Sequence, residues 1–336
     1  MNYFKKHSLW FLKVCLIMLN LLPVAVHAET QVIKLATLAP EGSTWMKVFQ
    51  ATKDEVEKNT DGRIKIVIYG SGVQGDEKVV VQKMRTGQLH GAALTSVGLS
   101  LIAPEIASMQ LPLVFENYQQ VDHTREAMRA EFEAKLLENG YVLLGWGDVG
   151  FSYIYSNQPI RKPSDLKKAK VWAWNSDPVT TRLITEAGAN PIPLGVPDVL
   201  PALRTGQVNT VLVSPLVLVS LQWYPGMKYQ MKQPLAFGIG ALIVSKKQWD
   251  SFLPSDRDFI NNATQKWTQI LQDKIRKDNE RALKLLKRHG IEELEASAEE
   301  MTAWKSTAIR TCDGLVGEAF PEETLDKLRQ HANEVE

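Results

Sequence analysis

Few residues in this 336-residue chain are of a type and spacing that could drive a reaction. Beyond residue 28 the histidines are His90, His123, His289 and His331, scattered singly and without the spacing of metal ligands. Each reads as a surface or capping histidine. No Gly-x-Ser-x-Gly turn exposes a nucleophilic serine, and no Cys-x-x-Cys pair is present. The literal match to a chemical motif is Gly70-Ser-Gly-Val-Gln-Gly75, which has the Gly-x-Gly-x-x-Gly spacing of a dinucleotide loop between a strand and a helix. Asp76 and Glu77 follow at once. They suit a helix N-terminus but repel a phosphate placed there. The expectation is a protein that is not an enzyme and holds neither cofactor nor metal.

The N-terminus reads as a processing signal. Lys5, Lys6 and Lys13 precede a mostly apolar run from Val14 to Val26, broken by Asn20 and Pro23, and Val26-His27-Ala28 offers small residues for cleavage. The run is shorter than the ~20 residues a membrane span needs. The mature chain is expected to start near Glu29, in the periplasm. Cys15 lacks a lipoprotein context, because Lys13 and Val14 precede it. Cleavage leaves Cys312 alone, so no intrachain disulfide can form. It also removes three lysines and no acid, turning a net charge of +1 into −2. That balance argues against nucleic acid or an anionic membrane as the main partner. With 44% hydrophobic and 23% charged residues, the rest is ordinary globular composition.

The elements that would position a site come in two similar series. Arg-Thr-Gly-Gln occurs at Arg85–Gln88 and again at Arg204–Gln207. Each copy reads as a helix stopping at glycine, where a left-handed cap costs little, followed by a short apolar strand. Around the first copy, strands are predicted over Gln31–Ala39, Gly62–Tyr69 and Gly91–Thr95, with helices over Thr44–Asn59 and Asp76–Thr86. A helix over Val121–Asn139 and strands over Tyr141–Trp146 and Ser152–Ser156 lead to a second series. It has a strand over Lys170–Ala173, a helix opened by Asp177-Pro178, and a helix over Val196–Thr205. Ser255–His289 is the longest predicted helix. Ser255-Asp-Arg-Asp258 resembles a capping box and Gly290 a stop. Its charged stretch Arg276–Arg288 reads as a solvated face. The fold class expected is α/β, two-lobed like a periplasmic binding protein, with a long helix spanning both lobes. The expected division is a signal peptide over 1–28, a first lobe over 29–150 with a return segment near 239–279, and a second lobe over 151–238 with C-terminal helices near 280–336.

Several blocks of this chain resemble the periplasmic solute receptors of tripartite ATP-independent periplasmic (TRAP) transporters, DctP type. The strongest runs from Pro163-Ser-Asp-Leu-Lys-Lys-Ala-Lys-Val through Gly188-Ala-Asn-Pro-Ile-Pro-Leu to Val199-Leu-Pro-Ala-Leu-Arg-Thr-Gly-Gln-Val. Gly62-Arg-Ile-Lys-Ile, Gln110-Leu-Pro-Leu-Val-Phe and Leu242-Ile-Val-Ser-Lys-Lys-Gln-Trp support it. The resemblance implies a receptor whose lobes close on a small molecule. It also implies delivery to small and large integral-membrane permease subunits. A ligand-sensing subunit for a membrane sensor is the alternative role.

In open α/β sheets, ligands bind beyond the carboxyl ends of the strands. That rule points to Thr95, Ser96, Leu212, Val213, Ser214 and Trp172 or its neighbours, and Trp174, Val196 and, through the resemblance, Ser152 join them as candidate ligand-binding residues. The family's usual receptor carries an arginine where this chain has Trp172, and often a second where it has Ser152. Its acidic–amide pair matches Leu212 and Val213. Anchors that would hold a carboxylate are therefore replaced by apolar, aromatic or small residues. A largely hydrophobic ligand such as a lipid, sterol-like or long-chain compound is expected, with Tyr153, Trp146 and Trp223 extending the lining. An organic-acid receptor is the alternative, with Arg125 or Arg182 reaching in.

Overall fold

Period-two alternation of apolar residues builds the sheet. In Ile64-Lys-Ile-Val-Ile-Tyr69 the isoleucines at 64 and 66 are buried and Lys65 is exposed. The computed structural model describes residues 30–335, so the predicted leader, its cleavage near Ala28 and Cys15 lie outside the described residues. The strands are β1 (Gln31–Thr37), β2 (Ile64–Tyr69), β3 (Gly91–Thr95), β4 (Tyr141–Ser156), β5 (Val171–Trp174), β6 (Pro191–Leu194), β7 (Thr210–Val213), β8 (Tyr229–Met231), β9 (Ala236–Ser245) and β10 (Glu292–Leu294). The helices are α1 (Thr44–Asn59), α2 (Glu77–Arg85), α3 (Ser96–Ser100), α4 (Tyr118–Ala127), α5 (Arg129–Glu138), α6 (Pro178–Glu186), α7 (Val196–Thr205), α8 (Pro215–Ser220), α9 (Lys246–Asp250), α10 (Pro254–Arg288), α11 (Ala298–Leu315) and α12 (Glu322–Asn333). Two 3₁₀ segments, Pro104–Gln110 and Pro163–Lys168, complete them.

The strand order is β2-β1-β3-β9-β4-β7-β5-β6, with β8 and β10 continuing from β4. In the first lobe β1 pairs in parallel with β2 and β3, and β9 closes that series antiparallel to β3. In the second lobe β5 pairs in parallel with β6 and β7. β4 belongs to both. It runs antiparallel to β9 from Tyr141 to Ser152, and its last residues pair with β7. Two strands, over Tyr141–Trp146 and Ser152–Ser156, are predicted here from the sequence. The ladder instead passes through, with irregularities at Leu143/Gly145 and Asp148/Gly150. Gly150 takes a φ of +115°, which absorbs the second one.

Helices cover both faces of each lobe. Ile33, Val56, Ile64, Phe252 and Ile260 pack one face of the first, while Ile106, Met109, Phe132 and Leu328 pack the other. The second lobe has one cluster around Leu183 and Trp304 and another around Trp172, Trp223 and Leu286. Both repeat junctions stop their helices at left-handed glycines, Gly87 at φ +74° and Gly206 at φ +70°. Asp177 caps α6 by accepting from Val179 N and Thr180 N.

α10 has 35 residues and is therefore roughly 52 Å long. Ile260 near its start lies in a first-lobe cluster and Leu286 near its end in a second-lobe one. It docks closely: a Cβ on Gly145 would stand 2.4 Å from Thr268 Oγ1. The predicted capping box does not form. Leu253 is the N-cap without a side-chain bond, and Asp256 instead pairs with Arg63 Nη2 at 2.7 Å. Two further readings change. The predicted helix over Val121–Asn139 is two helices meeting at Met128, whose φ and ψ are −89° and −2°. The C-terminal segment assigned to the second lobe splits: α11 packs on α6, but α12 returns to α4, where Leu325 and Leu328 join the first-lobe core.

Candidate ligand-binding site

Between the lobes, at the carboxyl ends of their parallel strands, lies a cavity of about 220 Å³. All nine residues selected from the sequence line it. β3 delivers Thr95, and Ser96 opens α3. β5 delivers Trp172 and Trp174, and β7 delivers Leu212 and Val213. Val196 is the first residue of α7, and Ser214 caps α8 by accepting from Val217 N. Ser152 comes from β4, the strand shared by the lobes.

The second-lobe wall is aromatic. Trp172 and Trp174 stack with ring centroids 6.2 Å apart, and Trp223 meets Trp172 edge-on at 5.2 Å. Trp172 is only 5% exposed and its Nε1 donates to Leu194 O, so it is a core residue as well as a wall. Trp174 Nε1 reaches across and donates to Asp76 Oδ2 at 2.7 Å. Burial raises the Asp76 carboxyl above its ordinary value, against the lowering effect of that bond. Trp146 lines the cavity too, but Tyr153 does not. A second interlobe link runs from Ser96 Oγ to Gln110 Oε1, and from Gln110 Nε2 to Asp177 Oδ2 at 2.7 Å.

The cavity wall carries three acids: Glu77, Asp148 and Asp177. Glu77 Oε1 accepts from Thr95 N, and Oε2 accepts from Thr95 Oγ1 and Gly98 N, at 2.7–2.9 Å. Burial still pushes its carboxyl up to about 7. Burial raises Asp177 as well, opposed by its cap bonds. Asp148 turns into the protein, where Arg125 Nη1 and Arg276 Nε each donate to it at 2.7 Å. Asp122 completes this network by accepting from both arginines. Arg276 is thus a half-buried cross-link with Tyr118 under its guanidinium at 4.4 Å, not the solvated residue expected. Among the described residues, no Arg, Lys or His lines the cavity. Arg125 is held in the Asp148 network, and Arg182 pairs with Glu186 and Glu318.

Several lining residues were missed in the sequence. α1 contributes Trp45, Val48 and Phe49, and α10 contributes Thr264, Thr268 and Leu271. β9 contributes Gly238 and Gly240. The alternating glycines of Phe237-Gly-Ile-Gly240 were a usable signal, because period two puts both on one face. Nothing local marks the α10 residues. The Gly70–Gly75 loop holds no phosphate-like cradle: Asp76 N-caps α2 without a side-chain cap bond, and its carboxylate serves Trp174.

A family model described as "DctP: Bacterial extracellular solute-binding protein, family 7" matches residues 35–315. The C4-dicarboxylate-binding periplasmic protein DctP of Rhodobacter capsulatus is 25% identical over 313 residues, covering 92% of this chain and 93% of the relative. The sialic acid-binding periplasmic protein SiaP of Vibrio cholerae is 22% identical, covering 76% of this chain and 79% of its own length. Among solved structures, the sugar acid binding protein DctPAm of Advenella mimigardefordensis, in complex with galactonate, superposes with a TM-score of 0.85. It is 21% identical and covers 92% of this chain and 99% of that one. A TRAP periplasmic solute binding protein from Ralstonia eutropha with bound (S)-2-acetolactate gives 0.84 at 24% identity, covering 90% and 99%.

Proposed function

Because this chain belongs to the bacterial extracellular solute-binding proteins of family 7, we propose that it receives a compact, uncharged and largely apolar molecule between its lobes. The family is one of TRAP receptors for small molecules, not of enzymes. The observation that carries the ligand class is the cavity wall itself: tryptophans and aliphatic side chains, acids already engaged, and no cationic side chain among the described residues. A carboxylate moved there from water would lose hydration with no guanidinium to replace it, at a cost of several kcal/mol. In our reading Trp172, Trp174, Val196, Leu212 and Val213 supply the apolar contact, and Thr95, Ser96, Ser152 and Ser214 the few polar ones.

Size narrows the class. The cavity exceeds the ~150 Å³ that takes benzene but falls short of the ~300–1,000 Å³ of drug-sized pockets. A substituted ring or short branched compound suits it better than a sterol or long acyl chain. Export through the predicted leader and delivery to small and large permease subunits complete the proposed role. A second reading takes an organic acid as the ligand; its support is that the relatives above are described with C4-dicarboxylate, sialic acid, galactonate and acetolactate. Tryptophan fluorescence separates the two. Titration with uncharged aromatic compounds should perturb the emission of the Trp172–Trp174–Trp223 cluster and raise the melting temperature, while C4-dicarboxylates and sugar acids leave both unchanged. Saturable micromolar binding of an organic acid alone rejects the apolar reading.

A further inference from the structure

The four histidines that look unrelated in sequence are not all separate in space. His123 lies on α4, and His331 lies in the last turn of α12, with Glu334 capping that helix. Glu334 Oε2 is 2.8 Å from His123 Nε2 and 3.0 Å from His331 Nδ1. One ligand atom from each of the three lies within 4.8 Å of the others. The rings are 6.1 Å apart and inclined at 69°, so they converge on the carboxylate instead of stacking. None of the three lines the ligand cavity.

We propose that His123, His331 and Glu334 form a site for a divalent transition metal of the zinc type. Two imidazole nitrogens and one carboxylate oxygen suit zinc, nickel or copper better than magnesium or calcium, which prefer all-oxygen shells. Zinc bonds of ~2.0–2.2 Å place neighbouring ligand atoms of a tetrahedron about 3.4 Å apart. The carboxylate oxygen stands 2.8 and 3.0 Å from the two ring nitrogens, a few tenths of an ångström inside that value, so small outward rotations of these partly exposed side chains admit the ion. Each side chain is 24–40% exposed, which leaves an entry path and a fourth position for water. The i,i+3 spacing of His331 and Glu334 keeps both on one face of α12, and the hydrophobic packing of α12 on α4 brings that face to His123. The ion would cross-link elements 211 residues apart and fasten the last helix to the first lobe.

The test uses tag-free full-length mature protein, stripped with chelator, at neutral pH. Titration calorimetry with zinc chloride should give one saturable site per chain, and the melting temperature should climb with zinc concentration. His123→Ala and Glu334→Gln should each weaken that binding at least about tenfold, since losing even an outer partner of a metal ligand costs ~10–100-fold. Magnesium chloride should produce no shift. Far-UV circular dichroism checks that each variant is folded. Glu334→Gln, at an exposed helix end, keeps the test decisive if His123→Ala unfolds. Absence of one-to-one zinc binding, or variants that bind zinc like the parent, overturns the assignment and leaves the cluster a hydrogen-bonded latch.

Discussion

Replacing Asp148 with asparagine tests what holds the shared strand against the long helix. The Asp148 side chain is fully buried, and Arg125 and Arg276 are 8% and 21% exposed at the side chain, so solvent screens this network little. Asparagine keeps the shape, so no cavity opens. What changes is charge: Asp122 and Asp148 balance two guanidiniums, and the variant leaves one cation without its buried partner. Breaking a buried pair in this way costs about 3–5 kcal/mol, against about 0–1 for an exposed pair. For a chain of this size that is a fall in melting temperature of roughly 5–8 °C. Thermal unfolding followed by circular dichroism, with urea unfolding for the free energy, reads the effect. Arg276→Met should cost less, because Asp148 keeps Arg125. A loss below ~1 kcal/mol for Asp148→Asn would refute the view that this network is desolvated and structural.

Gly150→Ala should destabilise by roughly 2–4 kcal/mol, because φ is +115° and the new Cβ would stand 2.5 Å from Asn279 Nδ2; urea unfolding measures it, and a neutral effect contradicts the bulge geometry. Trp174→Phe removes the interlobe bond to Asp76 and should cost about 1–3 kcal/mol without ligand. Small-angle scattering should then show a more open average shape, whereas an unchanged profile argues against an interlobe role. Glu77 has a folded value of about 7 against an ordinary 4.5, so between those pH values the folded chain binds a proton that the unfolded chain has released. Its contribution is therefore complete below about pH 4.5 and is lost as pH rises through about 7, by at most about 3 kcal/mol. Glu77→Gln should flatten this part of the stability–pH curve; an identical slope in parent and variant refutes the assignment.

Much of the frame was legible because its signals are local. Asp177-Pro178 caps and starts α6, Gly87 and Gly206 stop their helices, and the 35-residue α10 is uninterrupted in sequence. Much of the candidate wall followed from strand ends, since parallel strands point their last residues into one crevice. Packing hid the rest. Gly150 falls between the two predicted strands, and only the β9 partner holds it in one ladder, while Met128 interrupts a helix without glycine or proline to announce it. Arg276 sits in a run of surface charges, and only the approach of β4 and α4 draws it into the Asp122–Asp148 network. The docking of α12 on α4, which brings His123 beside His331, depends on contacts more than 200 residues apart.

The ligand is tested most directly by native mass spectrometry of the mature protein purified from its own host, with the retained molecule identified after denaturation. A cavity walled by Trp172, Trp174, Leu212 and Val213, without a cationic side chain among the described residues, predicts a small uncharged compound that extracts into organic solvent. Recovery of a sugar acid or dicarboxylate at one molecule per chain would contradict it.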